Sequence, residues 1–232
     1  MSTTLKSLIV LLIGCVAVSR ASAGEREVLF DGSSTDAWEF REGGWVIDQD
    51  RSLTCRMEEV KQKDGRIRHK GMGYVWTRKD YQDFELTFSY KLSEGANSGV
   101  FYRTDPTNPV QGGFEIQLMD DEGFKKTHGV KNAKNLNGAF YDCQAPSADP
   151  AKPLGQWNHL KLTCHGPKIR VEINGVLVID VNVDDWDTPR KNPDGSANKF
   201  KTALKDLPRK GRIGFQNHGQ VVWFKDIVVR PL

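Results

Sequence analysis

The stretch 168-KIRVEINGVLVIDVNV-183 alternates apolar and polar residues on both sides of Asn174-Gly175. Alternation with period two marks a strand whose two faces see different surroundings. Asn-Gly between two such runs is the strongest hairpin signal in the chain. Outward from this hairpin the same texture recurs at 44-GWVID-48, 73-GYVWTR-78, 83-DFELTFSYKL-92, 98-SGVFYR-103, 113-GFEIQLM-119, 157-WNHLKLTCH-165, 211-GRIGFQNH-218 and 221-VVWFKDIVV-229. Short glycine-bounded strands without intervening amphipathic helices predict an all-β sandwich of antiparallel sheets. The segment 184–210, rich in Asp, Lys, Pro and Asn, is too long for a simple turn and reads as a surface excursion with one short helix near Lys199–Lys205. The basic stretch 61-KQKDGRIRHK-70 reads as a solvated loop.

Residues 1–23 have the form of a secretory leader: Lys6 gives a positive start, Leu8 to Val18 form a short apolar run, and Ala21-Ser22-Ala23 is a small-x-small cleavage signal. The run is too short to span a bilayer as a helix, so export and removal are expected, leaving an amino terminus near Gly24. A lipoprotein site at Cys15, in Leu12-Ile13-Gly14-Cys15, is the alternative. Residues 24–232 are of a length expected for one sandwich domain. Loss of the leader removes Lys6 and Arg20 and no acid, so the formal charge falls from +3 to about +1. That balance argues against nucleic acid or an anionic membrane as partner. Cys55, Cys143 and Cys164 remain, which allows at most one disulfide, and their spacing matches no zinc motif.

The polar parity of three strands collects chemistry. Asn97, Gly99, Phe101 and Arg103 share one face, Glu115 and Gln117 another, and Gln216 and His218 a third. Buried charge needs a partner, so these groups either pair with one another or meet a polar ligand. Amides and bidentate charged groups suit the hydroxyls of a sugar. Each also has a structural alternative: Glu115 as an ion pair of Arg103, Gln117 and Gln216 as sheet amides, His218 as a turn residue, and Asn97 as a turn former. Of the six tryptophans only Trp186, in the irregular segment, is a candidate for stacking on a sugar; the others read as core. Asp120 and Asp121 read as the solvent end of a strand.

Several ordered motifs together resemble the bacterial 3-keto-disaccharide hydrolase-like family, also described as a 3-keto-glucoside-1,2-lyase and 3-keto-2-hydroxy-glucal hydratase domain. They are 29-LFDGSSTDAWEF-40, 83-DFELTFSYKL-92, 97-NSGVFYR-103, 113-GFEIQLMDD-121, 138-GAFYDCQAP-146, 156-QWNHLKLTCHG-166 and 214-GFQNHGQVVWFKDIVV-229. The resemblance implies a concanavalin A-like jelly roll of the lectin and glucanase kind. Two departures stand out: Asn217 replaces the Asp of the family's Gln-Asp-His-Gly, and 184–210 is longer than usual.

The chemistry implied is elimination. A ketone at carbon 3, installed by an upstream sugar 3-dehydrogenase, acidifies the hydrogen on carbon 2; its removal lets the enolate expel the group on carbon 1. Such a site needs a base, a cation or donor for the enolate oxygen, and an acid for the leaving oxygen. Glu115 or His218 is expected to serve as base or acid, Arg103 as the cation, and Asn97, Gln117 and Gln216 as hydroxyl binders. No cofactor is demanded, although a divalent cation held by Glu115, His218 and an amide would also stabilise an enolate. Two other functions fit the same residues. A retaining glycosidase would pair Glu115 with Asp120 across roughly 5 Å, which on this strand requires a bulge. A non-catalytic lectin-like module would use the amides alone.

Overall fold

The computed structural model describes residues 24–129 and 132–232. The expected leader and its alternative lipid site at Cys15 lie outside the described residues. In chain order the elements are β1 (Glu27–Phe30), β2 (Trp38–Glu39), β3 (Trp45–Ile47), β4 (Leu53–Cys55), β5 (Met57–Lys61), β6 (Ile67–Gly71), β7 (Val75–Thr77), β8 (Phe84–Leu92), β9 (Asn97–Thr104), β10 (Phe114–Met119), α1 (Asp121–His128), β11 (Asn158–His165), β12 (Lys168–Ile173), β13 (Val176–Asn182), β14 (Arg212–Phe215) and β15 (Val222–Pro231).

The strands form two antiparallel layers, as the alternation predicts. One sheet runs β13-β12-β11-β8-β15-β4-β3 with β1 added on β15, and the other runs β10-β9-β14-β7-β2. Asn174 and Gly175 both take positive φ, 51° and 81°, as a tight hairpin requires. β8 alternates buried and half-buried residues along its whole length. Its inward set meets the inward sets of β14 and β15: Phe215 stacks on Phe224 with centroids 4.1 Å apart, and Phe88 meets Phe215 edge-on at 5.1 Å. This aromatic contact joins the layers and sets the spacing of the sandwich.

The structure corrects the sequence in three places. Only 62–66 of the 61–70 stretch is loop: it joins β5 to β6, which carries His69 and Lys70, and the two pair as a ribbon outside both sheets. Its two faces are mostly exposed, so no apolar alternation announces it. The chain after β10 forms α1, because Asp120 caps the helix by accepting from the Gly123 N–H. In the 184–210 excursion the only helical turn within 199–206 is a 3-10 turn at Leu204–Asp206.

Cys55, Cys143 and Cys164 are buried and free. Burial raises all three thiols, Cys164 to about 12, so they behave as apolar filling. No helix among the described residues is long and apolar enough to cross a membrane.

Candidate active site

The site lies on the outer face of the five-stranded sheet. Its floor follows from register: Glu115 lies opposite Phe101, Phe101 opposite Gly214, Gly214 opposite Trp76, and Trp76 opposite Glu39. The next row places Gln117 opposite Gly99, and the Gln216 N–H donates to the Gly99 carbonyl at 3.0 Å. In the third row Met119 faces Asn97. Thus Glu115, Gln117, Asn97 and Gln216, separated widely in sequence, meet on three adjacent strands.

Two glycines hold this face open. A Cβ on Gly99 would collide with the Glu115 carboxylate, so glycine lets that side chain lie back over β9. A Cβ on Gly214 would occupy the space of the Trp76 six-membered ring. The outer edge of β10 is covered by residues 138–141, where the Tyr141 N–H donates to the Glu115 carbonyl at 3.0 Å. That pairing sets Tyr141 beside Glu115.

Glu115 is only 5% exposed and Gln117 only 1%. The Lys199 ammonium lies 3.2 Å from Glu115 Oε2 and 4.2 Å from the centre of the Tyr141 ring. Lys199 comes from the long 184–210 excursion. Gln111 clamps the backbone there, donating to the Lys199 carbonyl at 3.0 Å and accepting from the Lys201 N–H at 2.9 Å. Gln117 donates to Asn97 Oδ1 at 2.9 Å, and Gln216 donates to the Tyr74 hydroxyl at 3.4 Å. Burial raises the Tyr141 phenol, with the charges of Glu115 and Asp142 adding to it. Burial likewise raises Tyr74; the Gln216 hydrogen bond opposes this, and the Glu115 charge reinforces it. Both phenols therefore stay protonated at neutral pH and are donors.

Arg103 and Trp186 do not join this group. β9 and β14 shift register between Arg212 and Gly214, and Arg103 takes a φ of 49°. This bulge breaks the period-two alternation and turns Arg103 away from Glu115. Its side chain is fully buried, donating to the Gln82 carbonyl at 2.7 Å, the Gly166 carbonyl at 2.8 Å and Asp83 Oδ1 at 2.9 Å. Trp186 is 3% exposed; its indole donates to Asn192 Oδ1 at 2.8 Å and meets Phe140 edge-on. It anchors the excursion and offers no stacking surface. His218 lies on an exposed turn two residues beyond Gln216. Asn217 fixes that turn by donating to the Arg56 carbonyl at 2.7 Å, a bond that an ionised Asp could not make.

Asp120 is committed elsewhere: its carboxylate accepts from the Gly95 N–H at 2.7 Å and from the Gly123 N–H at 3.1 Å. It lines a cavity of about 330 Å³ with Tyr90, Asn137, Asp149 and Asn158. We place the site at Glu115 because the convergent amides, phenols and ammonium are there, whereas this acid caps a helix. Among the described residues no three His, Cys, Asp or Glu side chains gather as ligands of a metal ion. Glu115 and His218 do not fit such a set, since Glu115 faces the Lys199 ammonium.

Of the groups the sequence does not suggest, Tyr74 and Tyr141 lie inside 73-GYVWTR-78 and 138-GAFYDCQAP-146. Tyr74 directly precedes β7, where its parity with Trp76 is the available signal; Tyr141 sits in a turn, which has no such parity. Nothing local marks Lys199 or Gln111, which meet the site only through long-range folding.

Residues 25–230 match the model of the 3-keto-alpha-glucoside-1,2-lyase-like domain. A 3-keto-disaccharide hydrolase of Bacteroides thetaiotaomicron is 26% identical over 172 residues, covering 66% of this chain and 59% of that protein. The chain thus spans well under two thirds of that relative's length. A Parabacteroides distasonis crystal structure, provisionally described as a glycosyl hydrolase, is 28% identical with a TM-score of 0.77, covering 90% of this chain and all of the other. The laminarinase catalytic domain of Thermotoga maritima shares the fold at 12% identity and a TM-score of 0.53, over 91% of this chain and 98% of its own. The layers seen here are therefore those of the glucanase jelly roll, and the chain belongs to the 3-keto-alpha-glucoside-1,2-lyase-like family.

Proposed function

We propose that this protein cleaves 3-keto-glycosides by elimination followed by hydration, so that the net reaction is hydrolysis. The observation that carries this reading is the Glu115 carboxylate, recessed on a floor of amides with the Lys199 ammonium 3.2 Å away and two protonated phenols nearby. Family membership and the name of the Bacteroides relative point to the same substrate class.

Glu115 takes the proton from carbon 2, and the electron pair moves into the enolate of the carbon 3 ketone. Lys199 supplies the positive charge that this oxygen needs, the part expected of Arg103. The ketone re-forms as the bond from carbon 1 to the leaving oxygen breaks, and Tyr74, Tyr141 or His218 donates the proton that oxygen takes up. Water then adds to carbon 1 of the unsaturated ketone while carbon 2 regains a proton. Gln117, Asn97 and Gln216 hold the remaining hydroxyls. A dehydrogenase acting on carbon 3 of the sugar must supply such a substrate, and the leader of residues 1–23 would place the encounter outside the cytoplasm.

The test is turnover of 3-keto-trehalose and 3-keto-lactose beside their unoxidised parents. Release of sugar from the keto forms alone is expected. Equal release from the parents would favour direct glycoside hydrolysis, and binding without turnover would favour a lectin-like module.

A further inference from the structure

Two side chains lean across the sheet toward one another. Glu115 projects from β10 over Gly99 of β9, and Trp76 projects from β7 over Gly214 of β14. β9 and β14 are neighbours, and Gly99 and Gly214 stand two residues out of register. From a strand spacing of about 4.8 Å and a rise of about 3.3 Å per residue, the two glycines lie roughly 8 Å apart on the diagonal. One glycosidic linkage and the ring beyond it span that distance.

The Trp76 indole is half-buried, backed by Phe101 at 5.6 Å and met edge-on by Tyr74 at 5.9 Å. Phe101 is buried, and the Tyr74 hydroxyl is engaged with Gln216. Trp76 is thus a half-buried aromatic surface in the row of Glu115, held in place by neighbouring rings and admitted by a missing Cβ. Glycine at 214 also weakens β14, since it brings no side chain to pack; it serves the position of the indole.

We propose that Trp76 is the platform for the leaving group, and that the preferred substrates carry a ring there, either a second pyranose or an aryl group. This rests on the elimination reading for the identity of the reacting ring, while the platform itself rests on the Gly214–Trp76 geometry. Stacking on an indole favours flat rings and the C–H face of a sugar. A methyl leaving group is too small to use it.

The experiment compares wild type, Trp76→Ala and Trp76→Phe on three substrates: 3-keto methyl glucoside, 3-keto p-nitrophenyl glucoside and 3-keto-trehalose. Trp76→Ala should lower kcat/KM on the two ring-bearing substrates by up to about tenfold and change methyl glucoside turnover by less than about threefold. Trp76→Phe should recover most of the loss, which shows that a folding defect is not responsible. An equal loss on all three substrates overturns the platform. A second arm needs no turnover: calorimetric titration of unoxidised p-nitrophenyl glucoside should show weaker binding to Trp76→Ala than to wild type. Equal affinity, or no binding to wild type, overturns the platform. Failure of wild type to turn over any keto substrate, with binding still dependent on Trp76, would instead overturn the elimination reading.

Discussion

Arg103 on β9 and Glu115 on β10 are both buried charges on adjacent strands, and their surroundings differ in kind. Arg103 meets two backbone carbonyls, fixed by chain geometry, and the Asp83 carboxylate, which also accepts from the Gly166 N–H. Glu115 meets Lys199, an ammonium on a flexible four-carbon stem, and lies among phenols and amides that are side chains. The first arrangement ties the loop after β11 to the chain entering β8. The second keeps donors and charge in place at the cost of a polar floor in the sheet. A buried charge bound mainly to backbone serves the scaffold; a buried charge among side-chain donors is poised to exchange a proton with a ligand.

Substitutions can break that contrast. The largest effect is expected from Arg103→Met. Removing one partner of a buried pair costs about 3–5 kcal/mol, read as a lower denaturation midpoint, with turnover per folded molecule held within about threefold. A hundredfold loss of turnover at unchanged stability would return Arg103 to the chemistry. Next comes Glu115→Gln, which keeps shape and removes charge. Turnover of a 3-keto-glycoside should fall by about 100-fold or more, or about 2.7 kcal/mol in the barrier, while thermal stability scarcely moves. Full activity would make Glu115 a structural ion pair. Lys199→Met should cost on the order of tenfold in kcat. Because Lys199 and Glu115 touch, the double variant should lose less than the product of the two single losses; strict multiplicativity would separate them.

Much of this was legible in the sequence. The Asn174-Gly175 hairpin and the alternation through β8 and β10 point to a two-layered antiparallel fold, and outward parity brings Asn97, Glu115, Gln117 and Gln216 to one face. Parity fails at Arg103 because a bulge inserts one residue into the ladder, and no residue in 97-NSGVFYR-103 announces it. The tryptophans exchange roles for a related reason. Trp186 sits in an irregular segment that folds back and buries it, whereas Trp76 sits in a regular strand whose outward face opens on the site. Loop burial depends on tertiary closure, which local pattern does not encode. Lys199 is hidden in the same way: the long-range clamp from Gln111 helps to hold the backbone that carries its ammonium to Glu115 on β10. The β5–β6 ribbon escapes notice because it has no buried side to impose a pattern.

Elimination must break the bond between carbon 2 and its hydrogen, and direct glycoside hydrolysis leaves that bond intact. The decisive measurement is therefore nuclear magnetic resonance of the sugar released from 3-keto-trehalose in heavy water, beside an incubation without enzyme to correct for spontaneous enolisation. The proposed mechanism predicts enzyme-dependent deuterium at carbon 2, abolished together with turnover in Glu115→Gln. Enzyme-dependent cleavage that leaves carbon 2 without deuterium would contradict it.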